Sequence, residues 1–261
     1  KWYIQPKNLP SDGSGVIFGD NFRVSEAIVD ALQTKDDPRL PVYVAPTKHS
    51  FEAHRANASV PFVYRGQPAG LSAAEQNEID KDDYSVLSST IRSESRAFVM
   101  TFAELQFLKA EAIIRGMITG NAADEYAKGI RASMQKWAAI SSDDVDVYLA
   151  RPDVALNTAQ NEALKQIGTQ AWIDSFLNGF EAFANWRRTG YPELKVGTSV
   201  SSAIPVRYIY SDNEQNNPNL ISWTNEKIGR MVNETDMVWF QPQKWNTNVV
   251  TTGGQRLNTD F

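Results

Sequence analysis

Cysteine is absent from this 261-residue chain, which excludes a disulfide scaffold and a thiol nucleophile. The absence leaves the compartment open, because it suits a cytosolic protein and a bacterial envelope protein equally. Histidine is scarce, with His49 and His54 alone. A Ser-His-Asp triad would have to use one of these two, and no G-x-S-x-G elbow accompanies them. A cationic excess is also missing. The chain carries 26 Lys and Arg against 31 Asp and Glu with no basic stripe, which argues against a nucleic-acid backbone as partner. No apolar run approaches the ~18 residues that a membrane-spanning helix needs. The amino terminus, Lys1-Trp2-Tyr3, has no apolar signal region, so the chain reads as mature, truncated or cytosolic. What remains is ordinary for a globular protein: 42% hydrophobic and 22% charged residues exclude a mostly disordered chain. A chain of this length buries roughly 70–75% of its unfolded surface and needs no metal staple.

Proline is missing where it would do most harm to helices. Of 12 prolines, only Pro152 falls between residues 69 and 191. Proline breaks helix interiors through its absent N–H and its ring clash, so the middle of the chain is free to be helical and the flanks are not. Helices are expected at about 22–33, stopped by Asp37-Pro38, at 102–118, 122–138, 158–176 and 179–189, with a short strand at Val206–Tyr210. Thr101 and Glu104 form a capping box at the start of the second helix. Its apolar residues lie all round (Phe102, Leu105, Phe107, Leu108, Ile113, Ile114, Met117), which predicts deep burial. Asn121 starts the third, whose Tyr126, Ile130, Met134 and Trp137 share a face, with Asp124 and Lys128 as an i, i+4 pair. The short turn between these helices predicts an antiparallel hairpin of tetratricopeptide type, without a second copy at the ~34-residue period.

Few constellations carry chemistry. His49 and His54 flank Glu52, but their spacing fits no helix-face pair, and no further His or Cys completes a zinc set; they read as solvated loop histidines. Gly13-Ser14-Gly15 with Gly19 lacks the lysine of a phosphate loop and reads as a surface turn. Asp80, Asp82 and Asp83 lack the glycine and the distal glutamate of a calcium loop and read as a solvated acidic turn. Arg187-Arg188-Thr189-Gly190 is a helix stop, with two cations offsetting the dipole and a glycine suited to the left-handed C′ position; anion binding is the weaker reading. Paired carboxylates for glycoside hydrolysis need a separation that sequence does not supply. No catalytic residue, metal set or cofactor motif is assigned. Trp137, Trp172 and Trp186 read as core, whereas Trp223, Trp239 and Trp245 fall in a tail rich in Asn and Gly that reads as ordered loops.

Five segments, in order and spacing, resemble the SusD/RagB family of Bacteroidetes outer-membrane nutrient-binding lipoproteins. They are FRVSEAIVDALQTKDDPRLPVY (22–43), TFAELQFLKAEAIIRG (101–116), ADEYAKGIRASMQKW (123–137), GFEAFANWRRTGYPEL (179–194) and IPVRYIYSDNEQNNPN (204–219). The resemblance implies a mostly α, SusD-like superhelix: a tetratricopeptide-like scaffold over about 101–190 with loop-rich flanks at 1–100 and 191–261. It implies that the chain is the C-terminal portion of a single domain, with the lipid anchor on a missing N-terminal part. It implies a non-enzymatic, cell-surface subunit that binds a glycan, or alternatively an oligopeptide, and delivers it to a SusC-like TonB-dependent transporter. A protein-binding tetratricopeptide-like adaptor and an acid-pair hydrolase are the readings from other classes.

Loops on a rigid scaffold usually carry the ligand. Residues 43–84 hold Pro46, Pro61, Pro68, Gly66 and Gly70 and read as one long loop rather than helix. Within it, Phe62 and Tyr64 offer rings, Arg65 offers hydrogen-bond donors, and Tyr43 and Tyr84 bracket the run. These five residues are the candidate ligand contacts, against a packing role for each aromatic.

Overall fold

A computed structural model describes residues 22–92, 98–137, 140–197 and 204–236. Among these the regular structure is almost wholly helical. The helices are α1 (Glu26–Gln33), α2 (Leu40–Tyr43), α3 (Lys48–Ala56), α4 (Ala73–Glu78), α5 (Ser89–Arg92), α6 (Phe102–Ile114), α7 (Ala122–Gln135), α8 (Ser142–Leu149), α9 (Gln160–Asp174), α10 (Gly179–Thr189), α11 (Asp212–Gln215) and α12 (Pro218–Ile228). A 3-10 turn occupies Lys81–Asp83. Strand pairing among the described residues is confined to two isolated bridges, Ser25 with Gln67 and Val44 with Leu87. The expected strand at 206–210 is not formed. Instead Val206 and Arg207 both direct their N–H groups at the Glu234 carbonyl, a single anchor rather than a ladder.

Local capping chemistry sets the helix ends. Ser25 accepts from the Ala27 N–H, so α1 begins four residues later than its apolar pattern indicates. Thr101 and Glu104 close the capping box of α6, and Gly116, at φ 73°, ends it short of residue 118. Asn121 caps α7 by accepting from the Ala123 and Asp124 N–H groups. Asn178 accepts from Glu181, and Gly190 takes the left-handed position after α10.

The helices build two main cores. In the first, α6 and α7 lie against each other with Phe107 beside Tyr126 and Lys109 paired to Glu125. Rising positions on one helix meet falling positions on the other, so the hairpin is antiparallel as expected. Phe107, Ala110, Ile130, Met134, Val145, Tyr148 and Ile167 fill the space between α6, α7, α8 and α9. Each fully buried large side chain of this kind contributes roughly 1.5–3 kcal/mol. The second core joins Val29 and Leu32 of α1 to Tyr43, Leu87, Ile91, Trp137 and Ile173. A smaller cluster seats Trp186 on Val206.

Three expectations change. The segment 43–84 is not one loop, because Thr47 caps α3 between Pro46 and Pro61 and Ser72 caps α4 after Pro68. The helix α6 is not buried all round: Ala103, Gln106, Phe107, Ala110 and Glu111 face inward, while Phe102, Leu105 and Leu108 are exposed. Lys128 pairs with Glu125 one turn back rather than with Asp124.

The cations at the end of α10 have internal partners. Arg188 donates two parallel hydrogen bonds to Glu111, at 2.7 and 2.9 Å, and Arg115 adds a third at 2.8 Å. Arg187 donates to the Val206 carbonyl at 3.1 Å and lies over the Phe183 ring. Thus α6 and α10 are clamped through one buried carboxylate. Burial alone would raise Glu111, but Arg188 and Arg115 outweigh it and hold the carboxyl below its ordinary value. Asp37 is treated alike by burial and by the stronger pull of Arg39. For a group whose folded pKa is depressed, the stabilisation is present above the unfolded value and lost as pH falls through the folded one. Unfolding free energy should therefore hold steady from pH 7 to about 5 and fall steeply below about pH 4. Urea titrations across this range should show the fall, and Glu111→Gln should flatten part of it.

Candidate functional site

The five residues singled out in the sequence separate into core and surface. Tyr43 is fully buried, stacked on Phe176 with ring centroids 4.5 Å apart and edge-on to Trp137. Burial pushes its phenol up to about 12. It packs the core and presents no face to a ligand. Tyr84 is also buried, beneath the exposed Arg65, whose guanidinium lies 4.9 Å from the ring centroid. Tyr64 is half-buried against the α1 core, which pushes its phenol up, and its carbonyl accepts from Gln33. Phe62 is open, with 42% of its surface exposed.

The structure adds two residues to Phe62 that the sequence reading missed. Phe51 stacks 6.3 Å away at an interplanar angle of 12°, and His54 lies 4.1 Å away, its Nδ1 within 2.6 Å of the Val60 carbonyl. Phe51 and His54 are three apart on α3, so they share a face. Thr47 as N-cap ahead of this run was the sequence signal that could have found them. The outcome is an aromatic cluster in which Phe51 lies parallel to Phe62 and the half-buried His54 is tilted 36° against it, with Phe51 and Phe62 exposed and followed by the exposed Val63 and Arg65.

Backbone hydrogen bonds hold this platform in place. Thr47 donates to the Val63 carbonyl at 2.8 Å, and Ser50 Oγ accepts from the Val63 N–H at 3.1 Å. Ser85 donates to the Arg65 carbonyl at 2.8 Å and its Oγ accepts from the Arg65 N–H at 3.1 Å. Gln67 donates to Val24 at 2.8 Å and accepts from Glu26 at 2.9 Å. Residues 63–67 are thereby fixed between α3, α1 and the stretch at 84–88.

A second concave feature lies apart from these five residues. A cleft of about 950 Å³ opens between α1, α9 and the stretches 152–157 and 192–197, with Pro68-Ala69-Gly70 on its edge. Asp30, Gln166 and Thr169 supply polar groups, and Trp172 and Leu194 supply apolar surface. Two ion pairs lie along its wall, Lys35 with Asp153 at 3.3 Å and Lys165 with Glu193 at 3.2 Å. Trp223 is half-buried on α12, not in a loop; Trp239, Trp245 and the Gly13–Gly19 stretch lie outside the described residues.

Comparison with known proteins places the fold. A SusD-like family model, described as starch-binding and associating with the outer membrane, matches residues 14–211. No curated protein matches the chain. Among solved structures, it is similar to a chitin-binding protein at 29% identity and TM-score 0.65, covering 86% of this chain and 50% of that one. It is similar to a SusD homologue from Bacteroides uniformis at 26% identity and TM-score 0.68, covering 84% and 49%. It is similar also to a SusD homologue from Bacteroides vulgatus at 25% identity and TM-score 0.70, covering 94% and 54%. The chain thus spans about half the length of these relatives. With a helical scaffold of the same form, the five ordered blocks and a family match over most of its length, the chain belongs to the SusD-like (SusD/RagB) family, whose members are binding proteins associated with the outer membrane rather than enzymes.

Proposed function

We propose that this chain is the C-terminal portion of a cell-surface glycan-binding protein that delivers its ligand to a SusC-like TonB-dependent outer-membrane transporter. The observation that carries the reading is the family match across residues 14–211, and the likeness to a chitin-binding protein supports a glycan as ligand. A lipid anchor on a preceding segment would hold the protein at the surface. The ligand contact is the aromatic platform. A sugar ring has an apolar face that a flat exposed ring can cover, and an exposed apolar patch with a polar rim marks a binding site. Phe62, backed by Phe51 and His54, supplies the flat surface. Arg65, fixed over Tyr84, supplies donors for hydroxyl groups, and Tyr64 edges the patch.

Calorimetric titration with chito-oligosaccharides, malto-oligosaccharides and a peptide panel tests the reading. Phe62→Ala and Tyr64→Ala, with helicity unchanged, should weaken glycan binding by about 1–3 kcal/mol, the scale of ring stacking. Unchanged affinity in both variants would remove the platform. Peptide binding without glycan binding would move the ligand class to oligopeptide, and binding of neither would defeat both.

The cleft favours a second location for the same ligand, because its volume of about 950 Å³ matches that of small-ligand sites. Loss of binding on Gln166→Ala but not on Phe62→Ala would assign the ligand there.

A further inference from the structure

The acidic turn and the first histidine come together in the fold although 31 residues separate them in the chain. His49, in the first turn of α3, places Nε2 3.0 Å from Asp80 Oδ2 and 3.9 Å from Asp83 Oδ1. One ligand atom from each of these residues falls within 4.8 Å of the others. The sequence alone pairs His49 with His54 and Glu52. The fold instead sends His54 to Phe62 and turns His49 toward the 3-10 turn.

We propose that His49, Asp80 and Asp83 form a binding site for a divalent transition cation of the zinc type. Zinc–nitrogen and zinc–oxygen bonds near 2.1 Å put neighbouring tetrahedral ligands roughly 3.4 Å apart, and the two separations, 3.0 and 3.9 Å, bracket that spacing. One imidazole with two carboxylates suits zinc or its neighbours better than calcium, which takes oxygen ligands alone. Two carboxylates also balance the dication.

The surroundings orient these groups. Asp80 Oδ1 accepts from the Asp82 N–H at 2.9 Å, which turns Oδ2 toward His49. Asp82 itself is engaged by Lys48 at 2.6 Å, so it is set apart from the trio while bracing α3 against the turn. Thr47 caps α3 immediately before these residues and fixes the register of His49. About half of each side chain is open to solvent, leaving room for water to complete the coordination shell. A cation here would clip α3, which carries Phe51 and His54, to the turn at 81–83. The site stands independently of the ligand reading above.

The test is zinc titration of the full chain in a non-chelating buffer, followed by calorimetry and by the imidazole resonances in NMR. Only two histidines are present, so the spectrum of His54→Gln assigns the remaining imidazole resonances to His49. Saturable one-to-one uptake in the micromolar range is expected, with the His49 resonances shifting and those of His54 unmoved. His49→Ala and Asp80→Asn should each weaken uptake by at least about tenfold. Asp143→Asn, on the distant α8, should leave it unchanged. Absent saturation, unmoved His49 resonances, or equal uptake by His49→Ala would each overturn the site. Once assigned, the resonances are followed in the unaltered chain, so misfolding of His49→Ala or Asp80→Asn would not decide the result.

Discussion

Replacing Arg39 by alanine is expected to cost about 3–5 kcal/mol of unfolding free energy, the scale for removing one partner of a buried ion pair. Arg39 has no exposed side-chain surface. Its guanidinium donates to Asp37 Oδ1 at 2.9 Å and Oδ2 at 2.6 Å, to Ser133 Oγ at 2.9 Å and to Gln170 Oε1 at 2.6 Å. Gln170 in turn donates to the Tyr148 hydroxyl at 3.2 Å. One side chain thus joins the turn after α1 to α7, α8 and α9. Alanine would leave the Asp37 carboxylate, the Ser133 hydroxyl and the Gln170 amide buried without their partner, and an unpaired buried charge is far costlier than a missing contact. Arg39→Lys should recover only part of the loss, since an ammonium cannot reproduce the planar fork. The double variant Arg39→Met, Asp37→Leu should recover more, because no charge is then stranded. Urea denaturation with an unchanged slope measures all three. A cost for Arg39→Ala below about 1 kcal/mol, the size of an ordinary hydrogen bond, would contradict the network.

Gly66→Ala is the second large effect, and it reaches the platform. An added Cβ would lie 2.3 Å from Glu26 Cα, 2.5 Å from Glu26 N and 2.6 Å from Ser25 C. All three are backbone atoms at the start of α1, so no side chain can swing away to make room. The strand-like run must lift off α1, breaking the two hydrogen bonds between Gln67 and residues 24 and 26. The expected cost is about 3 kcal/mol, the upper end for overpacking. Far-ultraviolet helicity should persist, while amide exchange over residues 62–67 accelerates and glycan affinity falls with it. Gly116→Ala makes the contrast. It meets nothing within 4 Å, and its φ of 73° limits the cost to about 1 kcal/mol. Equal effects at the two glycines would show that the close approach at Gly66 is not maintained in solution.

Much of the scaffold was legible because helix ends are local events. The Thr101 and Glu104 box, the Asn121 and Asn178 caps and the Gly190 stop all act within about one turn of backbone, and the structure keeps each of them. The α6–α7 hairpin was legible for the same reason, since a short turn leaves two apolar helices few ways to pack. The helix α3 was missed because Pro46 and Pro61 made its neighbourhood read as loop, although both prolines fall outside the helix. The strand at 206–210 failed for the opposite reason: its apolar residues follow a strand-like alternation, yet among the described residues its backbone finds the Glu234 carbonyl and no partner ladder.

The sequence by itself determined the family, the helical class and the helix boundaries set by caps, because each is written in residues close together along the chain. It also marked Tyr43, Phe62, Tyr64, Arg65 and Tyr84 alike as candidate contacts, without separating the buried from the exposed. Only the tertiary structure decided that Tyr43 is core and Phe62 is exposed, that Phe51 and His54 back the platform, and that His49 faces Asp80 and Asp83. It alone decided that the two arginines ending α10 face inward, one of them to Glu111, 77 residues away. The physical reason is common to all of these. Exposure and pairing depend on what a side chain meets across the fold, and composition and periodicity describe only a residue's own neighbourhood. An apolar helix such as α6 reads the same whether one face or every face is covered, and packing against α7 and α9 is what selects the covered face.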